Sequence, residues 1–276
     1  MENQKRAWTL IGPPGLFLLL LFLLPLSAVV LYSFKNGAGT AYTLENFKSL
    51  FANAPFMRVF GQSLGVAAWV SFLAVLMAYP VAYYLAFQAG RMQMTLMTLI
   101  IIPAWTSYLL RIVSWKVVLG SDGLINSLLL WLHLTDHAVP IFLYSPQAVI
   151  ITLVYVWIPF AALPIFVALD RIDRSLLEAA ADLGCAPWEA FLRITLPLSF
   201  PGVVASLIYV FVPTLGEYVT PMLVGGASGG TLFGNLIQDQ FMRGMNWPLG
   251  SAMSIILILN VLLMLYLLSR LLRRWI

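Results

Sequence analysis

Of the 276 residues, 61% are hydrophobic and 9% charged, against a soluble-domain norm of roughly 45–50% apolar and ~25% charged. With a mean hydropathy of +0.92, so much apolar surface cannot be hidden in a core while the exterior stays wet, and lipid must be the solvent for much of the chain. Secreted, disordered and nucleic-acid-binding classes are disfavoured: the formal charge of +4 is what the cytoplasmic excess of Lys and Arg gives a membrane protein. The single cysteine, Cys185, excludes an intrachain disulfide framework and a multi-cysteine metal site.

Crossing about 30 Å of hydrocarbon takes about 20 apolar residues in a helix. Six uncharged runs qualify in chain order: Ala7 to Phe34, Val59 to Gly90, Met92 to Leu110, Ala138 to Leu169, Ile194 to Gly216 and Gly244 to Ser269. They predict spans at about 8–34, 59–88, 93–115, 145–169, 195–217 and 247–270. Between the third and fourth, Gly123 to Thr135 is too short to cross and reads as an interfacial helix. Another uncharged run, Tyr218 to Gln238, contains Pro221, Gly225, Gly226, Gly229, Gly230 and Gly234. Each glycine penalises helix by about 1 kcal/mol relative to alanine, so residues 218–246 are expected to be an extracytoplasmic or re-entrant segment. Lys5 and Arg6 before the first run resemble a signal-peptide start, but its length and the later runs favour a retained anchor.

Six spans put both termini on one side. Lys5, Arg6, Arg91, Arg171, Arg174, Arg193, Arg270, Arg273 and Arg274 share one face, while Lys35, Lys48, Arg58, Lys116 and Arg243 share the other. The richer face is cytoplasmic, so both termini are expected there and the long loops outside.

Between spans four and five, Asp170 to Arg193 carries eight charges: Asp170, Arg171, Asp173, Arg174, Glu178, Asp182, Glu189 and Arg193. Five acids against three arginines is the wrong sign for an anionic leaflet, so the loop is built to meet a soluble partner. Ser175 is placed to cap a short helix reaching Leu183, with Glu178 at the third helical position. Gly184 ends that helix; Ala186 or Pro187 starts a second, from Trp188 to Ile194, and Pro197 marks entry into span five. Ala179, Ala180 and Ala181 leave a face that a partner's surface can approach closely.

The residues Glu178-Ala179-Ala180, then Gly184 after three residues, then Ile194 and Leu196-Pro197 after nine more, resemble the EAA motif of ABC importer permeases. Ile102 to Ile112, Tyr144 to Phe160 and Gly216 to Ala252 are similar to the corresponding stretches of spermidine/putrescine importer permeases. The resemblance implies an all-α membrane protein with six transmembrane helices, the type I ABC importer permease fold, in a bacterial inner membrane. It also implies that segment 170–197 is the coupling loop, seated on a dimer of ATPase subunits. A second homologous permease and a periplasmic solute-binding protein would complete the assembly, and the solute would cross by alternating access.

No P-loop is present, because no lysine follows a glycine. ATP and its Mg are therefore expected on the partner ATPase, with no cofactor in this chain and no enzymatic activity of its own. An intramembrane protease would need a histidine at membrane depth, yet His133 and His137 sit in the outer loop, where with Asp136 they make a poor metal site. An ion-coupled secondary transporter would show intramembrane carboxylates and would not need the EAA loop.

Polyamines cross as polycations and are recognised by carboxylates and aromatic faces. Glu217, at the outer end of span five, is the leading candidate, because an ionisable group at that depth is costly. The competing reading is a structural salt bridge to Arg111. Tyr218, Tyr209 and Trp157 are candidate π faces, and Asp239 is a second carboxylate beyond the glycine-rich segment. Pro103, Pro159, Pro164 and Pro213 remove helix hydrogen bonds within spans three to five and permit kinks.

Overall fold

A computed structural model describes residues 2–36, 41–137, 139, 143–226 and 230–272, with side chains from Gly12 to Arg270 within them. Gly229, Arg273 and Arg274 lie outside the described residues, as do the side chains of Lys5 and Arg6. Secondary structure among the described residues is helical apart from an isolated bridge between Lys35 and Tyr42. The chain falls into two compact units: Met1–Met57 with Leu236–Leu262, and Arg58–Asn235 with Leu263–Ile276.

In the first unit, α1 (Glu2–Ser33) exposes every residue from Leu16 to Leu24, an apolar exterior that suits hydrocarbon and not water. The short α2 (Glu45–Ala52) is tied to the end of α1 by Asn46, whose amide donates to the carbonyls of Ser33 at 2.9 Å and Lys35 at 2.7 Å.

The second unit is built on α3 (Ala54–Phe87), which buries Val66, Val70, Ala74, Ala78 and Ala82 in an i, i+4 stripe. Small residues there let neighbouring backbones approach, as membrane helices require when burial against lipid gives no driving force. The third span is not the single helix expected over 93–115. Residues Gly90–Trp105, comprising a 3₁₀ turn, α4 (Gln93–Ile101) and a second 3₁₀ turn, join α5 (Tyr108–Val118) at a bend of 89°. Pro103 supplies no N–H at the break, and Thr106 is extended with ψ 157°. Next, α6 (Leu124–Trp131) occupies the segment read as interfacial, with Leu124, Leu128 and Trp131 exposed.

Ser145 accepts from the Ala148 N–H at 3.1 Å and Pro146 occupies the first turn, so α7 (Pro146–Asp170) begins as its sequence directs. Pro159 and Pro164 lie inside it. After the coupling loop, α9 (Pro187–Ala190) runs through a π-helical turn (Phe191–Thr195) into α10 (Leu196–Leu215). The second short helix, expected from Trp188 to Ile194, is thus continuous with span five. Pro197 sits in the first turn of α10, where its missing N–H does least harm, and the π turn takes up the misfit. Gly202 is where α10 meets α7: a Cβ there would stand 2.5 Å from Ala168 Cβ and 2.7 Å from the Pro164 carbonyl. Nearby, the Ser206 hydroxyl donates to the Ala161 carbonyl at 2.7 Å.

Segment 218–246 contains more helix than its glycines suggested. A π-helical turn (Pro221–Gly225) is followed by α11 (Phe233–Met242), within whose first turn Gly234 is buried. A Cβ at Gly234 would come within 2.6 Å of the Glu217 carbonyl, so close backbone approach, not a break, explains that glycine. The chain then enters α12 (Trp247–Leu272). Among the described residues, five helices, counting Pro187–Leu215 as one, are long and apolar enough to cross a membrane, and the count is six if the bent pair is taken as one broken span.

Candidate functional site

The charged loop after α7 folds around α8 (Arg174–Asp182). Asp173, not Ser175, is its N-cap, accepting from the Ser175 N–H at 3.0 Å. This puts Leu176 at the third helical position and leaves Glu178 two places beyond a capping box. That hydrogen bond holds the Asp173 carboxyl below its ordinary range. Gly184 takes φ +76°, the left-handed conformation of a helix-ending glycine, and its N–H donates to the Ala181 carbonyl at 2.9 Å. The Cys185 N–H donates to Ala180 at 3.0 Å, so two carbonyls left free by the helix end are answered. Glu189 accepts from the Ala186 N–H at 3.4 Å. Loss of hydration first, then this carboxylate, pushes the Cys185 thiol above its usual range.

Of the motif residues, Ala180 is buried, Glu178, Ala179 and Gly184 are exposed, Ile194 and Leu196 are half-buried, and Pro197 is exposed. Leu183 is 89% exposed and Trp188 65%, large apolar groups on a strongly charged loop. Water alone gives no reason to leave them there; a docked protein surface does. Two hydrogen bonds, invisible in the sequence, fasten the loop to the membrane helices. Arg174 donates to the Ala86 carbonyl at the end of α3, and Gln93 at the start of α4 donates to Asp170 at 2.9 Å.

At the other end of α10, Glu217 is 9% exposed. Its Oε1 accepts from the N–H groups of Val219 at 2.9 Å and Thr220 at 3.0 Å, so the carboxylate caps the π turn that follows. Its Oε2 accepts from the Tyr108 hydroxyl at 2.6 Å, the short length of a charge-assisted bond. The expected alternative, a salt bridge to Arg111, is not formed among the described residues. Buried Arg111 instead donates to the Val156 carbonyl at 3.5 Å and leaves its Nε unpartnered.

The π faces are partly gathered. Trp157 stands edge-on to Tyr209 at 6.4 Å, and Phe160, which the sequence did not single out, joins both at 5.6 and 6.1 Å. Tyr218 is exposed, and its carbonyl accepts from the Asn235 amide at 2.7 Å. Asp239 pairs with Arg243 at 3.4 Å on the surface, so its charge is already partnered and solvated. Tyr108 and Thr220 were missed: they meet Glu217 only through the fold, and a lone tyrosine carries no sequence signal of its partner.

Long apolar helices, a capped short helix bearing the EAA residues and a buried carboxylate just past the far end of α10 are what an importer permease requires. Residues 78–276 match the family model of the binding-protein-dependent transport system inner membrane component, and the chain belongs to that family. It is a permease subunit of an ABC importer. Among curated relatives, it is 37% identical over 227 residues to the spermidine/putrescine transport system permease protein PotB of Salmonella typhimurium (strain SL1344), covering 82% of this chain and 78% of that one. It is 36% identical to PotB of Escherichia coli (strain K12), covering 82% of each. The inner membrane ABC transporter permease protein YdcU of the same E. coli strain is 32% identical, covering 83% of this chain and 76% of that one. A bacterial ABC transporter involved in the import of the acidic polysaccharide alginate shares the fold at a TM-score of 0.78 and 19% identity, over 99% of this chain and 98% of that one. The MetNI methionine ABC transporter in an inward-facing conformation shares it at a TM-score of 0.61 and 20% identity, over 81% and 99%.

Proposed function

We propose that this permease carries a polyamine, spermidine or putrescine, across the inner membrane by alternating access. The observation that carries the reading is the 36–37% identity to PotB permeases over 227 residues. The expected assembly contains a second homologous permease, a dimer of ATPase subunits that hold ATP and Mg, and a periplasmic binding protein that delivers the solute. Closure of the ATPases acts on Glu178, Ala179, Ala180, Gly184, Ile194, Leu196 and Pro197, and the helices then shift between two arrangements of access. Glu217 is the carboxylate that receives an ammonium group, and Trp157 and Tyr209 lend aromatic faces to the methylene chain and its charges. Tyr218 borders that carboxylate in sequence. Asp239, already paired with Arg243, takes a secondary part at most.

The test is ATP hydrolysis by the purified, assembled complex, stimulated in turn by its binding protein loaded with polyamines, amino acids or anions. Stimulation by spermidine or putrescine alone is expected. Stimulation by an amino acid or an anion in their place overturns the polyamine assignment and leaves the permease assignment standing.

A further inference from the structure

Three hydrogen bonds reach Glu217, and they are not equivalent. The two on Oε1 come from the main chain of Val219 and Thr220, fixed by the turn they belong to. The one on Oε2 comes from a side chain, the Tyr108 hydroxyl. Tyr108 is the first residue of α5, immediately beyond the bend of 89°, and it is only half-buried. The phenol is thus the exchangeable partner of an otherwise committed carboxylate.

We propose that Tyr108 is the selectivity element of the solute site: its hydroxyl occupies the position on Glu217 that a solute ammonium must take, and only a primary or secondary ammonium displaces it. The proposal rests on the reading of Glu217 as the solute carboxylate. A neutral alcohol or amide offers no more than the phenol already gives, whereas an ammonium adds a full charge interaction in a place of low dielectric. An anion meets a carboxylate whose donors are spent and is repelled.

The surroundings suit such an exchange. Thr220 Oγ1 lies 3.0 Å from the phenol oxygen. While the phenol proton is given to Glu217, the threonine hydroxyl donates to the phenol. Once an ammonium has taken Oε2, the phenol can turn its proton to Thr220, so displacement strands no buried polar group. One turn further along α5, the guanidinium of Arg111 stands 5.8 Å from the Tyr108 ring, with Nε unpartnered. That positive charge offsets the negative field of Glu217. A cation therefore gains little from merely being near and must make direct contact, which is the step Tyr108 controls.

The experiment uses the full complex with its partner permease, ATPase and binding protein, and spermidine as the probe. Tyr108→Phe keeps the ring and removes the competing donor. Its KM for spermidine is expected to fall about tenfold, the order a charge-assisted hydrogen bond is worth, with kcat changed much less. Replacing Tyr108 by 3,5-difluorotyrosine, a stronger donor of similar shape, is expected to raise KM, and it also tests the idea if the phenylalanine variant fails to assemble. An unchanged or raised KM in Tyr108→Phe overturns the proposal, as does a lost response to fluorination. If Glu217→Gln abolishes uptake while Tyr108→Phe leaves KM alone, the displacement idea fails and the carboxylate reading survives. If both variants transport normally, both fail.

Discussion

Arg174 places its guanidinium 3.1 Å from the carbonyl of Ala86, joining the first residue of the coupling helix α8 to the last turn of α3, 88 residues earlier. The end of a helix leaves carbonyls without intrahelical donors and carries a partial negative charge, so a cation is well placed there. This bond gives α8 a direct tie to α3 beside the one along the chain through α7, and under the proposed coupling it passes motion of α8 to α3. Arg174→Ala should leave insertion and ATPase docking intact while lowering the number of solute molecules carried per ATP hydrolysed. Arg174→Lys should restore part of it. Uptake and hydrolysis measured together on reconstituted complexes check this, and an unchanged ratio in the alanine variant removes Arg174 from the transmission path.

Gly184 has open space where a Cβ would stand, so its importance lies in conformation alone. At φ +76° a β-branched residue is a steric outlier, whereas alanine is strained by roughly 1–2 kcal/mol. Gly184→Val should abolish ATP-driven transport in a protein that still inserts, and Gly184→Ala should reduce it partially. Native transport by the valine variant would show that the turn is not needed for transmission.

Replacing Glu217 by glutamine keeps an acceptor for the π-turn N–H groups and deletes the charge. Spermidine uptake should fall at least about tenfold, since an ammonium paired with a carboxylate in a desolvated site is held far more strongly than in water. Assembly should persist. Glu217 forms no direct ion pair with Arg111 among the described residues, so the loss of stability is expected to be smaller than that of breaking a buried pair. Uptake and thermal melting measured on one preparation separate these effects, and undiminished uptake places Glu217 outside the solute path.

The distribution of basic residues also predicts an orientation. Single cysteines introduced at Arg91 and Trp188 should react only with reagents admitted from the cytoplasm, and those at Lys48 and His133 only from outside. Labelling of Trp188 from the outside would reverse the orientation and disconnect the EAA loop from any cytoplasmic ATPase.

Hydrocarbon thickness and the uncharged runs made the long apolar helices legible in the sequence, and EAA spacing made the family legible. Both are local signals. The break of span three was half visible: Pro103 announced a weakness, but a proline in a membrane helix is as compatible with a mild kink as with a bend of 89°. Asp173 and Ser175 are both good caps two residues apart, and the choice fell to how α7 ends, which propensity does not report. Gly234 looked like a helix breaker because its neighbour across the fold, the Glu217 backbone, is invisible in a linear reading. The same limit hid Tyr108, whose partner lies 109 residues away.

The contact at Gly202 has a mechanical meaning for the loop between α7 and α10. With no side chain separating them there, and with Ser206 bonded to the backbone of α7, the two helices cannot slide past each other without a collision of main-chain atoms. The residues between α7 and α10, Arg171 to Thr195, leave from the end of one and return to the start of the other. Under the proposed coupling this segment is a handle with both roots in one solid piece, so a push delivered at α8 is not absorbed by spreading its own supports and tilts that piece as a whole.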